Sequence, residues 1–317
     1  MSAKRYAIIG TGAIGGYYGA RLQQNGCDVH FLLRSDYGHV QSHGLVVESV
    51  DGDITLPQVN VYNNPADMPA MDVVVIALKT TQNSGLTGLM PPLAEGAVVL
   101  TLQNGLGIEE EIARLVPAEQ IMGGLCFVCS NKVGPGHIRH LDYGKIQLGA
   151  YSATHQRREL TAAMVEISDD LRQAGIPIEM SDDLFMARWQ KLVWNVPYNG
   201  LSVVLNMTTD ELMANGEIKK QIYTLMGEVI TTANTWAERL SKTAAPRRQI
   251  PMAWATEMIE ATARMKPYRT SMKIDFDEGR PLEVEAIVGN PVRAAARLGV
   301  AVPQMETLYH QLKQLSP

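Results

Sequence analysis

Apolar and polar positions follow two different rhythms along this chain. In the first half, short continuous apolar runs stand between polar or glycine-rich stretches. Residues 6–9, 29–33, 73–78, 98–102 and 121–130 are such runs. Runs of this length bounded by turn-forming residues predict buried strands, and those apolar on both faces predict central strands of a parallel sheet. Residues 44–50 and 54–61, split by Asp51-Gly52-Asp53, predict a hairpin, and residues 134–140 with 145–148 predict another. The polar stretch 36–43 predicts a loop or short helix. From residue 160 apolar positions recur three and four apart. The spacing predicts a helix over 160–174 closed by Gly175-Ile176-Pro177, a last strand at 176–180, and then helices over 184–204, 209–239, 252–264 and 283–298. The expected boundary lies near 180–183, giving an α/β domain over residues 1–181 followed by an all-helical domain over 182–317.

The first strand runs directly into Gly10-Thr11-Gly12-Ala13-Ile14-Gly15, with a helical pattern and a second strand behind it. This is a complete βαβ unit with G-x-G-x-x-G in its first turn, the mark of a Rossmann-type, doubly wound sheet that binds a dinucleotide. The glycines act separately. Gly10 allows the tight turn, Gly12 the close approach of backbone to pyrophosphate, and Gly15 the packing of helix on strand. The helix start offers N–H groups and a positive dipole end to the phosphates. The end of the second strand separates the two nicotinamide cofactors. A ribose 2′-hydroxyl calls for a carboxylate there, but the chain has Arg34, then Ser35. A guanidinium pairs with a 2′-phosphate where a carboxylate would repel it, so the expected cofactor is NADP(H). Lys79 and Asn104 close two further strands. Ligands of open parallel sheets bind beyond such strand ends.

Composition narrows the function classes. With 46% apolar and 19% charged residues among 317, and a net charge of −5, the chain is a globular protein without the basic surface that nucleic-acid binding needs. No apolar run reaches bilayer length, and the first strand begins too early to leave room for a signal peptide. Three cysteines do not make a disulfide framework. A cytoplasmic location is the expectation, with no nucleic acid and no membrane as partner. Cys126 and Cys129 form a C-x-x-C inside an apolar strand and are expected to be buried thiols, and no metal site is expected. His137 and His140 are expected at the surface.

Lys191, Asn195 and Asn199 stand four residues apart in the stretch 187–206. On a helix that spacing makes one stripe. A lysine and two amides on a buried face are costly without partners, and an ammonium beside a ketone could stabilise the alkoxide formed on hydride transfer and protonate it. Burial beside a nicotinamide would also lower the lysine pKa. Spacing alone leaves a solvated surface stripe equally open.

Taken together in order, GTGAIGG (10–16), FLLR, ALKT, LQNG, RWQKLVWN with its later asparagine, and TSMKIDFDEGRPLEVEAI resemble the 2-dehydropantoate 2-reductases, or ketopantoate reductases, over essentially the whole length. The resemblance implies NADPH-dependent reduction of 2-dehydropantoate to (R)-pantoate, on the route to pantothenate and coenzyme A. It implies Lys191 as proton donor, and Asn104, Asn195, Asn199 and Ser271 as substrate-binding residues. It further implies that Gly10, Thr11, Gly12, Ala13, Ile14 and Gly15 hold the pyrophosphate and Arg34 the 2′-phosphate. Lys79, Asn104, Cys129 and Glu283 would also lie at the cofactor. Thr209 and Tyr268 replace asparagines found in some members, and Cys129 a smaller residue, which leaves room for a related 2-oxo acid. A β-hydroxyacid or 6-phosphogluconate-type dehydrogenase and a non-catalytic NADP(H) sensor stand as alternatives. A phosphosugar would ask for a basic cluster near Lys191, and none is present in the sequence. A homodimer is an open expectation.

Overall fold

The computed structural model describes residues 4–241 and 247–316. The chain divides into two compact units: one made of Met1–Gln103 and Ile108–Leu184, the other of Asn104–Gly107 and Phe185–Pro317.

The first unit is built on strands β1 (Arg5–Ile9), β2 (Asp28–Leu32), β3 (Leu45–Ser49), β4 (Ile54–Leu56), β5 (Asn60–Tyr62), β6 (Met71–Ile76), β7 (Leu93–Thr101), β8 (Ile121–Gly134), β9 (His137–Ala150) and β10 (Ile178–Ser181). Between them lie helices α1 (Ala13–Gln24), α2 (Tyr37–His43), α3 (Ile108–Ile112) and α4 (Ala162–Gln173). All ten strands join one sheet in the order β4-β3-β9-β8-β7-β6-β1-β2-β5, with β10 beside β9. The pairs from β5 through β8 are parallel, while β3–β4 and β8–β9 are antiparallel. The central strands are buried, as their unbroken apolar runs require. α1 lies close on the sheet because its inner face is glycine: a Cβ at Gly19 would stand 2.6 Å from the Phe31 ring.

Two sequence expectations fail in this unit. The second hairpin is not 134–140 against 145–148. Residues 137–140 and 145–148 belong to the single strand β9, Gly134 ends β8, and the turn falls earlier, at Pro135-Gly136, where Gly136 has φ +61°. Leu141–Gly144 resembles a turn in sequence but forms a bulge, with Tyr143 at φ 63° and a register shift opposite Phe127 and Val128. His140 is buried rather than exposed: its ring stacks on Tyr17, with Nδ1 2.9 Å from the Ser49 hydroxyl and Nε2 3.1 Å from the carbonyls of Asp142 and Tyr143. The first hairpin forms as β3–β4, but Pro57 lacks an N–H and ends it. The chain then pairs as β5 with β2.

The second unit holds α5 (Leu184–Val204), α6 (Thr209–Ala214), α7 (Gly216–Ser241), α8 (Ala253–Ala263), α9 (Ser271–Asp277), α10 (Asn290–Leu298) and α11 (Pro303–Leu315). α5 runs through Pro197 and is its axis: Trp189, Leu192, Val193, Val196 and Tyr198 are all buried. A Cβ at Gly200 would meet Leu308 at 2.6 Å, so α11 lies directly against α5. Glu228 of α7 accepts from the N–H groups of Gln304 and Met305 and caps α11. The expected helix 209–239 is two. Asn215 takes an extended conformation and its side chain accepts from the N–H groups of Glu217 and Ile218, ending one helix and starting the next. The expected helix 283–298 opens as a π-helix, Glu285–Gly289, before α10. Among the described residues no helix is long and apolar enough to cross a membrane.

Candidate active site

In the first unit the glycine turn joins β1 to α1. Gly10 sits at φ +96°, and a Cβ there would be 2.7 Å from the Leu78 nitrogen. A Cβ at Gly15 would be 2.2 Å from the Gly10 carbonyl, so only glycine lets α1 start this close to β1. Gly12 is different. It is the N-cap of α1, no side chain caps the helix there, and nothing lies within 4 Å of where its Cβ would be. The turn therefore presents uncapped helix N–H groups beside an open space, which fits a pyrophosphate. Thr11 ties the turn to β2 through the Leu32 carbonyl at 3.5 Å, and Ser130 donates to the Ala13 carbonyl at 3.0 Å.

Arg34 lies just past β2, exposed, and its guanidinium makes no hydrogen bond or ion pair among the described residues. Lys79 lies just past β6 and caps a 3-10 segment, Thr80–Leu89. Gln103, past β7, is buried and bridges strand ends: its Nε2 donates to the Leu78 carbonyl at 3.0 Å and to Asn83 at 2.6 Å. Sequence reasoning missed that role, although Gln103 is part of the LQNG motif. Cys126 and Cys129 are buried thiols on β8, outside any disulfide, as expected. No group of metal-binding side chains occurs among the described residues.

In the second unit, Lys191, Asn195 and Asn199 do share one stripe of α5, and that stripe is not a solvated face. Lys191 is half-buried, Asn195 is 6% exposed and Asn199 is 2% exposed. The Lys191 ammonium donates to Asn104 Oδ1 at 2.8 Å. Asn199 Oδ1 accepts from the Met272 N–H at 3.2 Å and faces the Ser271 hydroxyl at 3.4 Å, at the start of α9. This fixes the amide's orientation and leaves its NH₂ for another acceptor. Asn195, largely buried as a residue, makes no side-chain hydrogen bond among the described residues, so its amide is open to a ligand. Glu283 is buried just before the π-helix. Thr209 and Tyr268 turn out to hold each other: Thr209 N–H donates to the Tyr268 carbonyl at 3.0 Å, and Tyr268 N–H to the Thr209 hydroxyl at 3.2 Å.

Asn104 owes its place to a clamp that the sequence did not reveal. Leu106 N–H donates to the Ala286 carbonyl at 2.9 Å, inside the π-helix. Asn290 Nδ2 donates to the Leu106 carbonyl at 2.5 Å, and Arg293 holds the Asn290 oxygen at 2.6 Å. Gly105, at φ +108°, lies so close to Ala286 that a Cβ would stand 2.6 Å from its carbonyl oxygen. A π-helix offsets the helical hydrogen-bond ladder and is often found at functional sites. Periodicity does not signal it.

The family model described as "Ketopantoate reductase PanE/ApbA" matches residues 6–153, and its C-terminal counterpart matches residues 183–316. The chain belongs to the ketopantoate reductase family. It is similar to a 2-dehydropantoate 2-reductase of Nostoc sp., 57% identical over 99% of this chain and 96% of the relative. Among solved structures it resembles the 2-dehydropantoate 2-reductase of Geobacter metallireducens, at 43% identity and TM-score 0.92, covering 98% of this chain and all of the other. The enzyme of Methylococcus capsulatus matches at 31% identity and TM-score 0.86, covering 98% and 96%. Both the glycine turn and the lysine–asparagine stripe fall inside the matched residues.

Proposed function

We propose that this protein reduces 2-dehydropantoate to (R)-pantoate with NADPH, with Lys191 as the proton donor. The observation that carries the role of Lys191 is its ammonium on Asn104 Oδ1, on a stripe whose next member, Asn195, is buried and without a side-chain partner among the described residues. When bound, NADPH would supply a hydride to the C2 ketone carbon. As the C–O π bond opens, charge grows on the ketone oxygen. An ammonium carries three N–H donors, and Asn104 Oδ1 takes one from Lys191. Another turns to the growing alkoxide, stabilises it and then passes its proton to it, leaving a neutral amine that water reprotonates. In this reading the Asn199 NH₂ and the Ser271 hydroxyl hold the substrate carboxylate and Asn195 its hydroxyl, which the Asn199 contacts with Ser271 and Met272 and the burial of Asn195 support. Gly10–Gly15 and Arg34 would hold the cofactor's pyrophosphate and 2′-phosphate. Work in the cytoplasm and a homodimeric assembly accompany this reading as expectations for fractionation and light scattering. An NADPH-oxidation assay with 2-dehydropantoate beside pyruvate, 2-oxoisovalerate and oxaloacetate tests it. The reading expects the highest kcat/KM with 2-dehydropantoate. A better substrate among the others would reassign the substrate, and no oxidation with any of them would leave a nucleotide-binding protein.

A further inference from the structure

Two residues past Arg34 the chain carries a carboxylate, Asp36, where a 2′-phosphate would least tolerate one. Its surroundings explain how the strand end accommodates it. The side chain is 8% exposed and takes three donors: the Lys132 ammonium at 2.6 Å, the Gly136 N–H at 3.0 Å and the Ser35 hydroxyl at 3.0 Å. Lys132 and Gly136 flank the tip of the β8–β9 hairpin, which thus reaches back to the end of β2. Despite its burial, these donors, chiefly Lys132, hold the Asp36 carboxyl below the ordinary carboxylate range, so it stays ionised wherever the enzyme works. Its charge is permanent, and Lys132 is the cation set against it.

We infer that Lys132 determines cofactor specificity by neutralising Asp36, which keeps the end of β2 net positive for the phosphate that Arg34 is placed to bind. With Lys132 present, Arg34, Asp36 and Lys132 sum to one positive charge. Without it they sum to zero, and an unmasked carboxylate lies near a phosphate dianion. The inference rests on the NADP(H) reading of Arg34. A tie that only braces the hairpin would affect both cofactors alike, because NADH and NADPH differ only at the 2′ position.

The test is cofactor binding rather than turnover. Wild type, Lys132→Met and the double variant Lys132→Met/Asp36→Asn are titrated with NADPH and with NADH, following nicotinamide fluorescence. Lys132→Met is expected to weaken NADPH binding on the order of tenfold, the effect of one unit charge near a dianion at intermediate dielectric, while NADH changes less than about twofold. Removing the carboxylate as well is expected to restore NADPH affinity to within about threefold of wild type. Equal weakening of both cofactors would reduce Lys132 to a structural brace. An unrestored double variant would show that Lys132 acts on the phosphate directly, and either result overturns the inference. A wild type that binds NADH as tightly as NADPH would instead remove the reading of Arg34, a failure visible before any variant is compared.

Discussion

The two asparagines of the α5 stripe look alike in sequence and differ in what surrounds them, so they make opposite predictions. Asn199 serves the fold as well as the site, because its oxygen satisfies the buried Met272 N–H. Replacing it with alanine is expected to lower stability by about 1–3 kcal/mol, the cost of an orphaned buried donor, and also to raise the KM for the keto acid. Asn195 has no protein partner among the described residues. Asn195→Ala is expected to raise KM on the order of tenfold while the melting temperature stays nearly unchanged, because an amide with no protein hydrogen bond contributes little to the free enzyme. Thermal melts beside substrate saturation curves separate the two. A clear drop in melting temperature for Asn195→Ala would mean that the amide is structural and unavailable to a ligand.

Elements place these residues, and the decisive one is the π-helix Glu285–Gly289. It offers the Ala286 carbonyl to the Leu106 N–H, and Asn290 donates to the carbonyl of the same residue. Asn290→Ala is therefore expected to lower kcat about ten- to a hundredfold by releasing Asn104 from Lys191, with NADPH affinity held within about twofold. A variant with wild-type kcat would show that the loop keeps its shape without the clamp. The glycine turn makes a harder prediction. Gly15→Ala puts a methyl 2.2 Å from a backbone oxygen, which should cost about 2–3 kcal/mol and abolish NADPH binding. Near-normal binding by titration would contradict the close packing described here. The chain's rhythms made much of this legible. The βαβ unit, the buried parallel strands and the bounds of α5 follow from local apolar periodicity and glycine placement. The π-helix, the bulge at Tyr143 and the break at Asn215 do not, because each is set by a partner distant in the sequence or by one side chain competing for backbone N–H groups. The asparagine stripe was visible by spacing, but its burial depended on helices packed around α5.

At the scale of the whole molecule, both units bury tyrosines whose hydroxyls resist ionisation. Desolvation is the main cause: it pushes Tyr151 in the first unit and Tyr198 in the second up to about 12, and raises Tyr6 and Tyr18 well above their ordinary 10. A group whose pKa is raised by folding adds stability that is complete below its unfolded value and is lost as pH climbs through its folded one. Alkaline unfolding is thus expected to set in above pH 10 and steepen toward about 12, and melting curves over that range check it. A melting temperature flat to pH 12 would argue that these hydroxyls reach water. The functional account depends on one group, the Lys191 ammonium. The most direct measurement is the turnover of Lys191→Ala with 2-dehydropantoate, taken beside its affinity for NADPH. A loss of about a thousandfold or more in kcat with NADPH affinity within about twofold of wild type is the predicted result. Turnover within about tenfold of wild type would contradict the account, because the proton would then come from elsewhere.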